Sequence, residues 1–326
     1  MILRAILPAV LSFGILVGCQ QSAKVNTKGP ALTLTKPTLD FFESCSRLDT
    51  TLNEIWILLC QKESHPLRQE LYEYSRIYKT FRRLTYQDGL ITDIAVRDFE
   101  NIYYASTYDE AKERFVEALK GEKPGTDVYL KKRGKTEFER LTNTPGLESQ
   151  FFWSSDVHQL FFVHRNKGLE QIVSLDRDAK LKFHHVSKTS KLESPVVLKK
   201  DRALYWLETA AGSNRAILMK KSKSAPRSLW ISSSKVLLIR PEPAGEQLLV
   251  AFATGLGREL WAFHPDTRCW QQKLRTTVAW DFFHSMNENE VFLSLSDRIG
   301  LQLQTLLRPE NTCEPSPPGL GVETTL

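Results

Sequence analysis

RLTNTPGLESQFFWSSDVHQLFFVHRN, Arg140 to Asn166, moves from a polar Asn-Thr-Pro-Gly break to a Trp-Ser-Ser-Asp segment and then into a dense apolar run. Pro-Gly and Ser-Asp pairs favour chain reversals, because they supply the backbone angles and local hydrogen bonds of tight turns. Such a stretch is either one ordinary hairpin or one copy of a repeat. Aligning the other apolar runs of the chain beneath it separates the two readings.

Six short runs rich in β-branched or aromatic residues line up: EIWILLC from Glu54, NIYYAST from Asn101, QLFFVHR from Gln159, ALYWLET from Ala203, QLLVAFA from Gln247 and EVFLSLS from Glu290. Their offsets are 47, 58, 44, 44 and 43 residues. A second column follows at about one strand and a turn: ELYEYS from Glu70, DVYLKK from Asp127, EQIVSL from Glu170, RAILMK from Arg215, ELWAFH from Glu259 and GLQLQT from Gly300, with offsets of 57, 43, 45, 44 and 41. The two columns keep one period. The long interval in each falls in the second unit, where YDEAKERFVEALKGEKPG (Tyr108 to Gly125) intervenes. Phe115, Val116 and Leu119 lie amid charges and Lys120-Gly121 supplies a stop, so this insertion is expected to be a short amphipathic helix.

A third element, RRLT ending at Thr85, ERLT ending at Thr142 and the weaker HHVS ending at Ser187, marks a further strand before a polar turn. Four strands in about 43 to 47 residues is the requirement for one propeller blade. A lone blade exposes two apolar faces, and six in a ring bury them and leave only short edges. The expected fold is therefore all-β, a six-bladed β-propeller over residues 31–312, followed by a Pro-rich C-terminal tail, 313–326. The first unit begins near Leu39, and the last run ends near Leu307 without an obvious fourth strand. PALTLTKP, Pro30 to Pro37, repeats the Leu-Thr chemistry and is expected to complete the last blade, so that an N-terminal strand closes the ring.

Leu-Thr, a polar turn, Trp153-Ser154-Ser155-Asp156 and then Phe161-Phe162-Val163 together resemble the TolB-type propeller repeat, whose usual form is Leu-Thr, turn, Trp-Ser-Pro-Asp-Gly and an apolar strand. The match is best over 127–178, fair over 70–107, and carried by spacing beyond 190. Ser155 replaces the family's proline and Val157 its glycine. TolB carries an α/β domain before its propeller, where this chain is read as having only a tether.

At the N-terminus, one cation, Arg4, precedes an apolar stretch from Ala5 to Val17 and then Gly18-Cys19. That order is an export signal, and the stretch falls short of the roughly 20 residues that span a bilayer. Leu16-Val17-Gly18-Cys19 resembles the lipobox of bacterial lipoproteins. The resemblance implies a signal peptide over 1–18, acylation (palmitate) of Cys19, and a cell-envelope location. Gln20 and Gln21 stand where the family's inner-membrane retention signal has Asp, which favours the outer membrane, facing the periplasm. Residues 19–30 are polar and aperiodic, as a flexible tether would be. Each buried acyl methylene contributes about 0.8 kcal/mol, so several chains on one cysteine give a lasting anchor.

Composition adds exclusions. With 41% hydrophobic and 25% charged residues the chain is a folded globular protein. Its net charge of +6 is spread among 38 acidic residues, and aromatic and basic residues do not recur at a nucleic-acid-binding spacing. No nucleophile elbow, phosphate loop or His-Glu-x-x-His helix occurs, so no catalytic, metal or cofactor residues are assigned. His184 and His185, adjacent on a strand, would point to opposite faces. Asp127, Asp156, Asp176, Asp201, Asp266, Asp281 and Asp297 read as strand-end turn residues, and the seven tryptophans as interblade core. Of the cysteines after Cys19, Cys269 and Cys313 are the expected disulfide. Cys45 and Cys60 are expected not to pair, because they are placed at far ends of successive strands. The function expected is a lipid-anchored protein- or peptide-binding scaffold, more a binder than an enzyme. Phe115, Lys112, Arg114 and Lys120 of the insertion are candidate partner contacts. The alternative is a propeller hydrolase or lyase acting on an envelope polymer or small substrate at the central channel.

Overall fold

A computed structural model of the chain describes residues 45–306 except 53–54, 63–64, 76, 87–89, 108–124, 256, 288 and 296–300, and also 313–314 and 321–322. The described strands form six small antiparallel sheets taken up in chain order around a ring. The first blade is β1 (Cys45–Leu52), β2 (Ile55–Lys62), β3 (His65–Ser75) and β4 (Thr80–Arg83). The second is β5 (Ile91–Val96), β6 (Asn101–Ser106), β7 (Asp127–Lys132) and β8 (Phe138–Arg140). The third is β9 (Leu147–Ser154), β10 (Gln159–Asn166), β11 (Leu169–Leu175) and β12 (Leu181–Ser187). Then come β13 (Ser190–Val197), β14 (Leu204–Ala210), β15 (Ala216–Lys221) and β16 (Arg227–Ser232), followed by β17 (Lys235–Pro241), β18 (Leu248–Thr254), β19 (Gly257–His264) and β20 (Cys269–Thr276). The last has β21 (Trp280–Asn287), β22 (Glu290–Leu295) and β23 (Leu301–Thr305).

The two columns of apolar runs are the second and third strands of the blades. These runs do not alternate with polar residues because both faces are buried. On β2, Trp56, Leu58 and Cys60 pack with Met286, Phe292 and Leu301 of the last blade. Ile57 and Leu59, pointing the other way, pack with Ile94, Tyr104 and Tyr129 of the second. Fully burying one such side chain contributes about 1.5–3 kcal/mol, and every blade repeats the arrangement. Trp56 meets Phe292 edge-on at 5.0 Å, so apolar packing of last blade on first closes the ring among the described residues.

The recurring Arg-Leu-Thr triplet has a structural cause. In the first blade, Thr85 Oγ1 accepts the Leu71 N–H at 2.9 Å and donates to buried Glu70, while Arg83 bridges the Glu70 carboxylate (2.7 Å) and the Thr85 carbonyl (2.7 Å). The second blade repeats it: Thr142 Oγ1 accepts Val128 N–H at 2.8 Å, and Arg140 bridges Asp127 (2.6 Å) and the Thr142 carbonyl (2.9 Å). An acid on the third strand thus fixes the end of the fourth. Asp127 is therefore a buried pairing residue and not a turn former.

The cysteine expectation needs a correction. Cys45 is bonded to Cys60. In an antiparallel hairpin the start of one strand faces the end of the next, and the register places Cys45 directly opposite Cys60. Closing this loop, with a sequence separation of 15, stabilises the fold by about 3 kcal/mol in the chain-entropy picture. The double substitution Cys45→Ala/Cys60→Ala is expected to lower unfolding free energy by about that amount, read from urea midpoints. A reductant-insensitive midpoint in the parent protein would show the bond does not form.

Cys313 is bonded to Cys269, the first residue of β20, and Glu314 exchanges two backbone hydrogen bonds of 3.0 Å with Trp270. A short strand, β24 (Gly321–Val322), pairs with the outer edge of β16. The chain end beyond the last blade is therefore partly built into the sheets of the two preceding blades. The expected closing strand at Pro30–Pro37 lies outside the described residues, as does the insertion over 108–124.

Candidate functional site

Each blade begins with its innermost strand, and all six innermost strands (β1, β5, β9, β13, β17, β21) carry a register shift. A bulge bends the strand and re-aims its side chains, here at the ring axis. The C-terminal halves of these strands and the turns after them enclose a cavity of about 500 Å³ to which every blade contributes. Its rim is shaped in part by the turn after β17. Gly245 (φ 76°) there packs so closely on Lys199 that an added Cβ would meet Lys199 Cβ at 2.5 Å.

Bulges and the open inner edge leave backbone N–H groups outside the ladders, and polar side chains of the preceding blade capture them. Val96 N donates to Asp49 Oδ2 across the first seam (2.7 Å). Gln150, at φ 61°, donates its N–H to Asp93 Oδ2 across the second seam (2.5 Å), joined by Phe151 N at 3.1 Å. Ser194, at φ 52°, donates its N–H to the Gln150 side-chain oxygen across the third. The relay makes the inner ring rigid where it lines the cavity.

Asp49, His284 and Arg240 line the cavity together. Asp49 Oδ1 accepts Thr50 N–H (2.8 Å) and lies 3.5 Å from His284 Nδ1. A quarter of the Asp49 side chain is exposed, and the residue lines the cavity. Desolvation outweighs the two backbone hydrogen bonds and Arg240's charge, and pushes its pKa up to about 6. Desolvation, then Arg240, pushes His284 down to about 3, so its contact with Asp49 at neutral pH joins an uncharged imidazole to a carboxylate. Arg47 and Arg240 both lie over the Phe282 ring, at 4.1 and 5.1 Å from its centroid. Burial lowers the Arg240 pKa from its ordinary value, and its Nη1 is buried without a hydrogen-bond partner.

The residues singled out by sequence divide. Trp56, Trp206, Trp230, Trp261, Trp270 and Trp280 are buried core. Trp153 stacks on Tyr103 of the second blade as interblade core, Asp156 sits in the turn after β9, and both also line the cavity. His184 contacts Ser174 Oγ at 2.8 Å within its own blade, and His185 turns to Glu208 and the Trp206 ring of the next. Asp176 and Asp201 cap turns through Lys180 N and Ala203 N. Asp266 pairs with Lys200 at 2.9 Å. Cys19, Lys112, Arg114, Phe115 and Lys120 lie outside the described residues, as does Asp297. Ser106 and Asp127, which flank the insertion, pair with each other at the end of the blade opposite the cavity mouth. Asp49, Arg240 and His284 had no sequence signal of their own, because first strands share little beyond length. Among the described residues no three His, Cys, Asp or Glu side chains converge as a metal site.

Six small antiparallel sheets in a ring, with a cavity at the axis, define a six-bladed β-propeller. Its fold is TolB-like: it is similar to that of TolB from Acinetobacter baumannii, at a TM-score of 0.54 and 14% identity over 80% of this chain and 65% of that one. It is also similar to an oligogalacturonate lyase in complex with manganese (TM-score 0.56, 8% identity, 79% of this chain and 74% of that one). A puromycin hydrolase is a third (0.55, 10%, 79% and 46%). No protein-family model matches the sequence, and no curated protein sequence matches it.

Proposed function

We propose that this chain is a lipoprotein of the cell envelope, held through acylated Cys19 at the outer membrane facing the periplasm, whose propeller binds a protein or peptide segment at the channel mouth. The observation that carries this reading is the cavity itself. Its lining carboxylate Asp49 caps two backbone N–H groups, as Asp93 of the next blade caps three, while Phe152, Trp153 and Phe282 supply apolar wall. Preformed apolar surface with a few fixed polar groups is what a ligand site requires. A carboxylate titrating near pH 6 beside a neutral histidine favours a hydrolase or lyase as second reading. Both Asp49 oxygens are occupied by backbone donors, which ranks that reading below binding.

A photo-crosslinking residue at exposed Lys199, on the rim, is expected to capture an envelope protein in living cells, and one at exposed Arg215, away from the cavity, is not. Equal capture from the two positions would place binding elsewhere. Palmitate labelling that survives Cys19→Ser would remove the anchor.

A further inference from the structure

We propose that the channel-mouth cavity is a carboxylate site, in which the Arg240 guanidinium and the Ser154 hydroxyl receive one carboxylate of a ligand whose apolar body lies against Phe152 and Trp153. It deepens the binding reading above for the source of the ligand, but its chemistry stands on the cavity alone.

The first observation is a pair of orphans. Ser154 Oγ and Arg240 Nη1 are buried polar atoms without a hydrogen-bond partner, and both belong to residues lining this cavity. Ser154 is only 2% exposed. Other buried atoms without such a partner, on Thr92, His185, Trp206, Trp230 and Trp280, lie outside the cavity lining, and Arg97, which does line it, is in an ion pair with Asp98 at 3.1 Å. A buried donor without an acceptor costs on the order of 1–3 kcal/mol, so two among the residues lining one cavity mark it as a place for an acceptor.

The protein's own acceptors do not meet that need. Asp49 and Asp93 are near enough to Arg240 to act on it through space. Their oxygens, however, accept the Thr50, Val96, Ile94, Gln150 and Phe151 N–H groups. A planar guanidinium offers two parallel donors that match a carboxylate. The surrounding charge sets the valence. Arg47, on the same aromatic ring, and Lys199 at the rim favour an anion, whereas Asp49, Asp156 and Glu242 disfavour a dianion such as phosphate. About 500 Å³ is room for one or two residues of a peptide or for a small aromatic acid.

The test uses the full-length protein, with Trp fluorescence and calorimetry as readouts. The probes are N-acetylated apolar tripeptides ending in a free carboxylate, the same tripeptides as C-terminal amides, 3-phenylpropionate and inorganic phosphate. The acids are expected to bind about tenfold or more tightly than the amides, with the difference lost in Arg240→Gln and reduced in Ser154→Ala. Equal binding of acids and amides overturns the carboxylate site and leaves peptide binding standing. Arg240-dependent binding of 3-phenylpropionate without any tripeptide supports the site and removes the peptide reading. Phosphate binding more tightly than the acids, or no probe binding at all, overturns the site. If Arg240→Gln does not fold, Ser154→Ala decides, and an unchanged acid-to-amide ratio overturns the proposal.

Discussion

Asp93→Ala is expected to remove about 4 kcal/mol of folding stability, a large effect for one carboxylate on an inner strand. The carboxylate is 5% exposed and accepts three backbone N–H groups: its neighbour Ile94 within the second blade, and Gln150 and Phe151 across the seam to the third. Alanine leaves the two bulge donors buried and unpaired, at roughly 1–3 kcal/mol each, and removes a carboxylate that balances Arg240. Asp93→Asn keeps one acceptor oxygen and is expected to lose about half as much. Urea unfolding measures the totals, and amide exchange locates them: Gln150 and Phe151 should exchange faster while Val96, held by Asp49, is little changed. A loss below about 1 kcal/mol would mean that the seams are held by apolar packing alone.

That dependence explains which parts of the molecule the sequence discloses. Second and third strands are buried on both faces by neighbouring blades, so apolarity is imposed at every position and the period is visible in Glu54, Asn101, Gln159 and their successors. Arg-Leu-Thr is visible because one hydrogen-bonded arrangement recurs, although its acid partners, Glu70 and Asp127, are separated from it by a whole hairpin. First strands obey no shared rule. Each has its own bulge, and its side chains answer to the seam or to the cavity, so Asp49, Gln150, Ser194 and Arg240 occupy comparable places with unrelated chemistry. Trp153 and Asp156 carry both a repeat signal and a cavity wall, and counting repeats finds only the first. The Cys45–Cys60 bond was obscured for a simpler reason: antiparallel pairing makes residues far apart along a hairpin direct neighbours.

The rise in stability that His284 contributes between pH 3 and 6.5 is expected to be lost in His284→Asn. Asp49 titrates at about 6 in the folded protein and at 3.8 ordinarily, so between those values the folded state binds more protons and stability falls as pH rises. At about 1.4 kcal/mol per pH unit separating the two pKa values, that contribution is on the order of 3 kcal/mol. His284 has the opposite sign. Its pKa is about 3 when folded and 6.5 ordinarily, so the unfolded state binds more protons and stability rises from pH 3 to 6.5 by on the order of 5 kcal/mol. The two contributions oppose each other in the parent protein, so the pair stabilises it less across this range than the histidine alone would. With asparagine at 284 only the Asp49 contribution remains, and stability relative to the parent should fall steadily from pH 3 to 6.5. Asp49→Asn should do the reverse and steepen the rise. Taking each variant as a difference from the parent cancels the other titrating groups, including Glu73 and Asp201, whose pKa values are lowered by their arginine and lysine partners against the cost of burial. Parallel profiles for parent and His284→Asn would show that the imidazole reaches solvent and is not held neutral by the channel.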